Sequence, residues 1–88
     1  MMRQAAKRDE NESDIVDALE AIGAMVYRVS DSGLPDLAVF FRGRIHLIEC
    51  KMPGKPLRPR QKEFHGATMG YPVYVAQSPL EAIQQVSK

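Results

Sequence analysis

Leu37-Ala38-Val39-Phe40-Phe41-Arg42-Gly43-Arg44-Ile45-His46-Leu47-Ile48-Glu49-Cys50-Lys51 is the stretch that decides the fold. Two runs rich in β-branched, aromatic and aliphatic residues flank Arg42-Gly43, which predicts strands over 37–41 and 44–51 joined as a hairpin. Asn-Gly would be a stronger turn signal than Arg-Gly. If Arg42 and Gly43 form a two-residue loop, cross-strand partners have numbers that sum to 85, and Asp36 faces Glu49. Directly opposed residues share a face, with Cβ atoms roughly 5 Å apart. Two carboxylates so placed repel unless one takes a proton or both share a cation. Glu49 and Lys51 are two apart and point together, while Cys50 points the other way with Ile48. Alternation and charge alone fit two readings equally: a functional cluster, or an ion pair between Glu49 and Lys51 at a sheet edge.

Working outward, the chain before the hairpin predicts a helix and a strand. A helix should run from about Asp9 to Ile22, with Ile15, Val16, Leu19 and Ile22 forming its apolar stripe and Gly23 ending it. Glu12 precedes Ile15 and Val16 by three and four residues, which places it on the stripe. An exposed first-turn acid complementing the helix dipole is an equal alternative, and Asp9, Asp14 and Asp17 read as surface charge. Ala24 to Val29 reads as a strand, and Ser30 to Pro35 as a loop of turn formers.

After the hairpin, Met52 to Pro59 holds three prolines and Gly54, a loop. Pro59 suits the first position of a helix running to about Met69, stopped by Gly70 and Pro72. Val73 to Ala76 is a short strand. Ser78-Pro79-Leu80-Glu81 opens a last helix as a capping box. The order α-β-β-β-α-β-α makes the first three strands an antiparallel meander and the fourth, after a right-handed crossover, parallel to the third. The fold class is α/β: a mixed four-stranded sheet flanked by helices.

Eighty-eight residues suggest one domain, 9–88, after a loose tail over 1–8. An apolar share of 44% against 26% charged residues excludes a disordered chain. The single cysteine excludes an internal disulfide. No signal peptide or run of about 18 apolar residues is present, so a soluble, cytoplasmic protein is expected. The net charge of +1 is uninformative, but its distribution is not. From Arg42 to Lys62 there are seven basic residues and only Glu49 as an acid, a local charge of +6. Such a block suits a phosphate-rich partner, although a solvated basic loop carries the same composition. Hard oxygen ligands on a rigid sheet suit Mg²⁺ or Mn²⁺. Such an ion activates water and neutralises charge on a phosphodiester, with Lys51 placed to assist.

Gly33-Leu34-Pro35-Asp36 followed by Ile48-Glu49-Cys50-Lys51 resembles the signature of the PD-(D/E)XK nuclease superfamily. Pro53 and Leu57-Arg58-Pro59-Arg60-Gln61-Lys62-Glu63-Phe64 narrow the likeness to the virus-type replication-repair nuclease (VRR-NUC) domain. The likeness runs from Glu12 to about Ala76. It implies a restriction-endonuclease-like core, with Asp36, Glu49 and the Cys50 backbone carbonyl as ligands of Mg²⁺ or Mn²⁺. It also implies Lys51 as the catalytic lysine, Gln61 positioning Lys51 or the scissile phosphate, and Glu12 contacting a metal directly or through water. With no appended domain expected, the chain looks like stand-alone phage and bacterial members, which resemble junction resolvases working as homodimers. A flap or nicking nuclease and a non-catalytic nucleic-acid-binding module are the rival readings.

Arg42, Arg44, Lys55, Arg58, Arg60 and Lys62 are candidate phosphate contacts, conferring salt dependence rather than sequence preference. Ser32 could touch a phosphate, and Gly33 would let DNA approach Asp36; a loop cap and a backbone turn are their plainer roles. His46 and Cys50 lie four residues apart on a strand, about 13 Å, too far for one zinc. His65 reads as surface. Tyr27, Phe40, Phe41, Phe64, Tyr71 and Tyr74 read as core or dimer contacts.

Overall fold

The computed structural model describes residues 9–30, 34–56 and 73–88. These form helix α1 (Glu12–Ala21), strands β1 (Met25–Arg28), β2 (Leu37–Phe41), β3 (Arg44–Cys50) and β4 (Val73–Ala76), and helix α2 (Pro79–Val86). The tail over 1–8 and the helix expected from Pro59 to about Met69 lie outside the described residues.

The sheet order is β1-β2-β3-β4, antiparallel across the first three strands and parallel between β3 and β4. Leu37 pairs with Ile48, Val39 with His46 and Phe41 with Arg44, the expected register. Arg42 and Gly43 both have positive φ, 51° and 76°. Two left-handed residues make the turn whose twist matches the flanking strands. Arginine is an unusual choice there, and its guanidinium lies 5.0 Å from the centre of the Phe41 ring.

Helix α1 starts three residues after Asp9, because the side chains of Asp9 and Asn11 are engaged elsewhere. Its end is built on Gly23 at φ 95°. There the Gly23 and Ala24 amides donate to the carbonyls of Glu20 and Leu19, closing a Schellman motif. Helix α2 begins as its sequence requires. Ser78 Oγ accepts from the Glu81 amide at 3.1 Å, and Glu81 Oε1 accepts from the Gln77 amide at 2.7 Å.

Strand alternation divides the sheet into two faces. Leu37 and Val39 from β2, Ile48 and Cys50 from β3, and Ala76 from β4 form the core with Ile15, Val16 and Leu19 of α1 and Ala82 and Val86 of α2. The other face carries Met25, Tyr27, Phe40 and Ile45, all exposed. Tyr27 and Phe40 meet edge to face there, with ring centres 5.7 Å apart.

Candidate metal centre and active site

The paired register ends at Leu37 opposite Ile48; counted on by two residues, it would set Asp36 against Glu49 and Pro35 against Cys50. Proline has no N–H, so the ladder has nothing to donate to the Cys50 carbonyl at that position. The Cys50 N–H does not continue the ladder to a backbone carbonyl either. It donates instead to Asp36 Oδ2 at 2.8 Å. The Pro-Asp pair thus ends the sheet ladder and puts a carboxylate where the next backbone acceptor would stand. The N–H and C=O of one strand residue point the same way in the sheet plane, so the Cys50 carbonyl faces this end of the hairpin too.

Helix α1 completes the arrangement. Its first residue, Glu12, faces the sheet, and carboxylate oxygens of Glu12 and Asp36 lie with Cys50 Sγ all within 4.8 Å of one another. Arg28 Nε, from the end of β1, approaches Glu12 Oε2 at 3.6 Å from the partly exposed rim. Glu49, one residue before Cys50, projects from the opposite face and stands outside that set of three, so Asp36 does not share a face with Glu49 as the hairpin count predicts. Its Oε2 lies 4.0 Å from Lys51 Nζ.

Among the described residues, the buried charged side chains are Glu12, Asp36, Glu49 and Lys51, at 2%, 8%, 0% and 4% exposure. Three buried carboxylates thus stand with one buried ammonium, and the Arg28 guanidinium flanks Glu12 from the rim. Nothing in the apolar core requires them there, and burying charge is expensive unless it is compensated. A divalent cation fits this charge and this oxygen-rich donor set. The Cys50 thiol does not fit a hard cation. Burial pushes its ionisation well above the ordinary thiol range, and the carboxylates of Asp36, Glu12, Glu49 and Asp9 push it further. Thiolates suit softer metals, which leaves the carbonyl of Cys50, not the thiol, as the donor suited to Mg²⁺ or Mn²⁺.

The other residues marked in the sequence fall in different places. Lys55 is exposed in the turn beyond Lys51, where its amide donates to the Met52 carbonyl. Arg42 and Arg44 sit at the hairpin tip, roughly 17 Å along the strands from Asp36. Arg44 Nη1 donates to the Lys88 carbonyl at 3.1 Å. Ser32, Gly33, Arg58, Arg60, Gln61 and Lys62 lie outside the described residues.

Three side chains near the centre escape the sequence reading. Arg28 shares the face of Val26 and Leu37, so alternation from the core residues could have found it. Asp9, read as surface charge, accepts the Met52 amide at 2.6 Å through Oδ2. Asn11 donates to the Lys51 carbonyl at 3.1 Å and to the Gln77 carbonyl at 3.0 Å. The Asp9 and Asn11 contacts join residues 40 to 66 positions apart, and no local pattern announces them.

A mixed sheet that gathers buried acids and a lysine at one end of a hairpin is the framework of a PD-(D/E)XK-type nuclease. The family model of the VRR-NUC domain matches residues 3–79, and the chain belongs to that family. A solved structure described as a VRR-NUC domain is similar to it at a TM-score of 0.68 and 26% identity, covering 90% of this chain and 97% of that one. No curated protein matches the chain. The chain is a nuclease domain, with DNA as the substrate that this family membership implies. No helix among the described residues is long and apolar enough to cross a membrane.

Proposed function

We propose that this chain is a divalent-metal-dependent, structure-selective DNA endonuclease, a four-way-junction resolvase that works as a homodimer. The burial of Glu12, Asp36, Glu49 and Lys51 around the Cys50 backbone is the observation that carries the catalytic reading. Well-packed apolar residues would serve stability as well or better at such positions, so the charges call for a chemical reason.

In this reading Asp36, Glu49 and the Cys50 carbonyl hold Mg²⁺ or Mn²⁺, and Glu12 contributes directly or through water. A bound ion supplies charge neutralisation at the phosphodiester and makes water more acidic. The chain's own groups do the remainder. The Lys51 ammonium orients the attacking water or stabilises negative charge as it develops. Glu49 keeps that ammonium in place. Gln61 positions Lys51 or the scissile phosphate. Gly33 lets DNA come close to Asp36, and Ser32, Arg42, Arg44, Lys55, Arg58, Arg60 and Lys62 contact phosphates.

A four-way junction needs two symmetric incisions, and a two-fold dimer supplies two centres in the required relation. The apolar face of Met25, Tyr27, Phe40 and Ile45 supports self-association, with Met25 57% and Ile45 65% exposed. Incubation with labelled four-way, flapped and linear DNA in Mn²⁺, beside a measurement of solution mass, tests the proposal. Paired symmetric nicks in the junction by a particle of twice the 9.9 kDa chain mass are expected. Preferential cutting of the flap would favour the flap-nuclease alternative. Binding with no cleavage of any substrate would leave a non-catalytic nucleic-acid-binding module.

A further inference from the structure

We infer that Asp9 and Asn11 form a two-pronged clamp on the peptide unit that follows Lys51, and that they act as positioning residues for that lysine. The inference rests on the catalytic role proposed above for Lys51. Lys51 is the first residue beyond β3, where the regular ladder no longer holds the backbone. Its own amide still donates to the Ala76 carbonyl at 3.0 Å, which fixes it on the β4 side. The next peptide unit presents a carbonyl from Lys51 and an N–H from Met52. Asn11 Nδ2 takes the carbonyl at 3.1 Å, and Asp9 Oδ2 takes the N–H at 2.6 Å. Both polar ends of one peptide plane are therefore held by side chains two residues apart.

The clamp explains an oddity at the start of α1. Asparagine is among the favoured N-cap residues because its side-chain oxygen accepts from an amide of the first turn. Asn11 occupies that position but makes no such bond. Its amide is turned instead onto two carbonyls, Lys51 O and Gln77 O, just past the ends of β3 and β4. The clamp is tied into the helix behind it, with the Glu12 amide donating to the Asp9 carbonyl and the Ile15 amide to the Asn11 carbonyl. One short segment thus carries Glu12 into the centre and fixes the backbone on which Lys51 stands. Because Lys51 is almost fully buried with its Nζ beside Glu49, a rotation of this peptide would move the ammonium away from that carboxylate. A misplacement of about 1 Å at a reacting group can cost on the order of 100-fold in rate.

The test compares Asp9→Ala, Asp9→Asn and Asn11→Ala with the unsubstituted full chain. Asparagine at 9 still offers an oxygen to the Met52 amide, whereas alanine does not. In the metal-free protein, hydrogen exchange at the Met52 amide should accelerate in Asp9→Ala and stay slow in Asp9→Asn. In Mn²⁺, kcat should fall about tenfold or more in Asp9→Ala and Asn11→Ala, with KM for DNA and the thermal midpoint nearly unchanged. Asp9→Asn should restore most of kcat. Loss of amide protection with kcat intact would overturn the inference. So would a joint loss of kcat, KM and thermal stability, the mark of a clamp that merely holds α1 on the sheet. Absence of cleavage by the unsubstituted chain would sink the nuclease reading instead, and the exchange measurement would still decide whether Asp9 holds the peptide.

Discussion

The two ends of the β2–β3 hairpin reverse the usual distribution of residues. At the open end, Asp36, Glu49 and Lys51 are charged and buried; at the turn end, Phe40 and Ile45 are apolar and exposed. The strands between them are ordinary, with Leu37, Val39 and Ile48 in the core. An element selected for stability alone would place the same residues the other way round. The contrast teaches that the middle of the hairpin builds the fold, while burial and exposure at its two ends fit the chemistry and the self-association proposed above.

The largest effect should come from removing the charges at the open end. The pair Glu49→Gln with Lys51→Met keeps shape while deleting both charges. DNA cleavage should fall by roughly 10²–10³-fold, while the thermal midpoint holds or rises, because replacing both partners of a buried ion pair is often neutral or stabilising. Cleavage within tenfold of the parent would show that the buried charges serve the fold after all. Cys50→Ala sharpens the point within the same strand. The backbone carbonyl survives and the thiol does not, so cutting in Mn²⁺ should persist, with ~1 kcal/mol lost in urea denaturation from the small cavity. Loss of metal binding would instead make the thiol a ligand.

At the turn, Arg42→Asn should stabilise the fold. A left-handed arginine carries about 1–2 kcal/mol of steric strain, against ~0.5–1 kcal/mol for its contact with the Phe41 ring. Urea denaturation should show a gain of ~0.5–1 kcal/mol. A loss would mean that the ring contact dominates.

The smallest effect concerns His46, midway along β3. Burial, and then the positive charge of Arg44, lower its pKa below the ordinary 6.5. Below pH 6.5 the unfolded chain therefore binds a proton that the folded chain resists, and stability falls as the pH drops from there toward the folded-state value. His46→Gln should flatten that part of a plot of thermal midpoint against pH. An unchanged slope would assign the decline to other groups.

How much of this was readable beforehand follows from sequence distance. The hairpin register, the Gly23 helix stop and the Ser78 capping box depend on neighbours within a few residues, and the structure matches the sequence at each. Helix α1 starts later than its sequence predicts because the side chains of Asp9 and Asn11 bond to Met52 and Lys51 instead of capping their own helix. Alternation points the Cys50 side chain away from Glu49 and Lys51. Alternation in β3 gave its direction correctly, but only the packing of α1 reveals that Glu12 stands on that side as well. Acids therefore approach the end of β3 from both faces, an arrangement that no single strand pattern encodes.

The central claim is that Asp36 ends the ladder as a metal ligand. Calorimetric titration of Mn²⁺ into the DNA-free protein tests it most directly, comparing the parent with Asp36→Asn. Asparagine still offers an oxygen to the Cys50 amide but lacks the negative charge. Saturable binding by the parent and its loss in Asp36→Asn, with the fold intact, is the result expected. Equal binding by both, or none by the parent, would contradict the account.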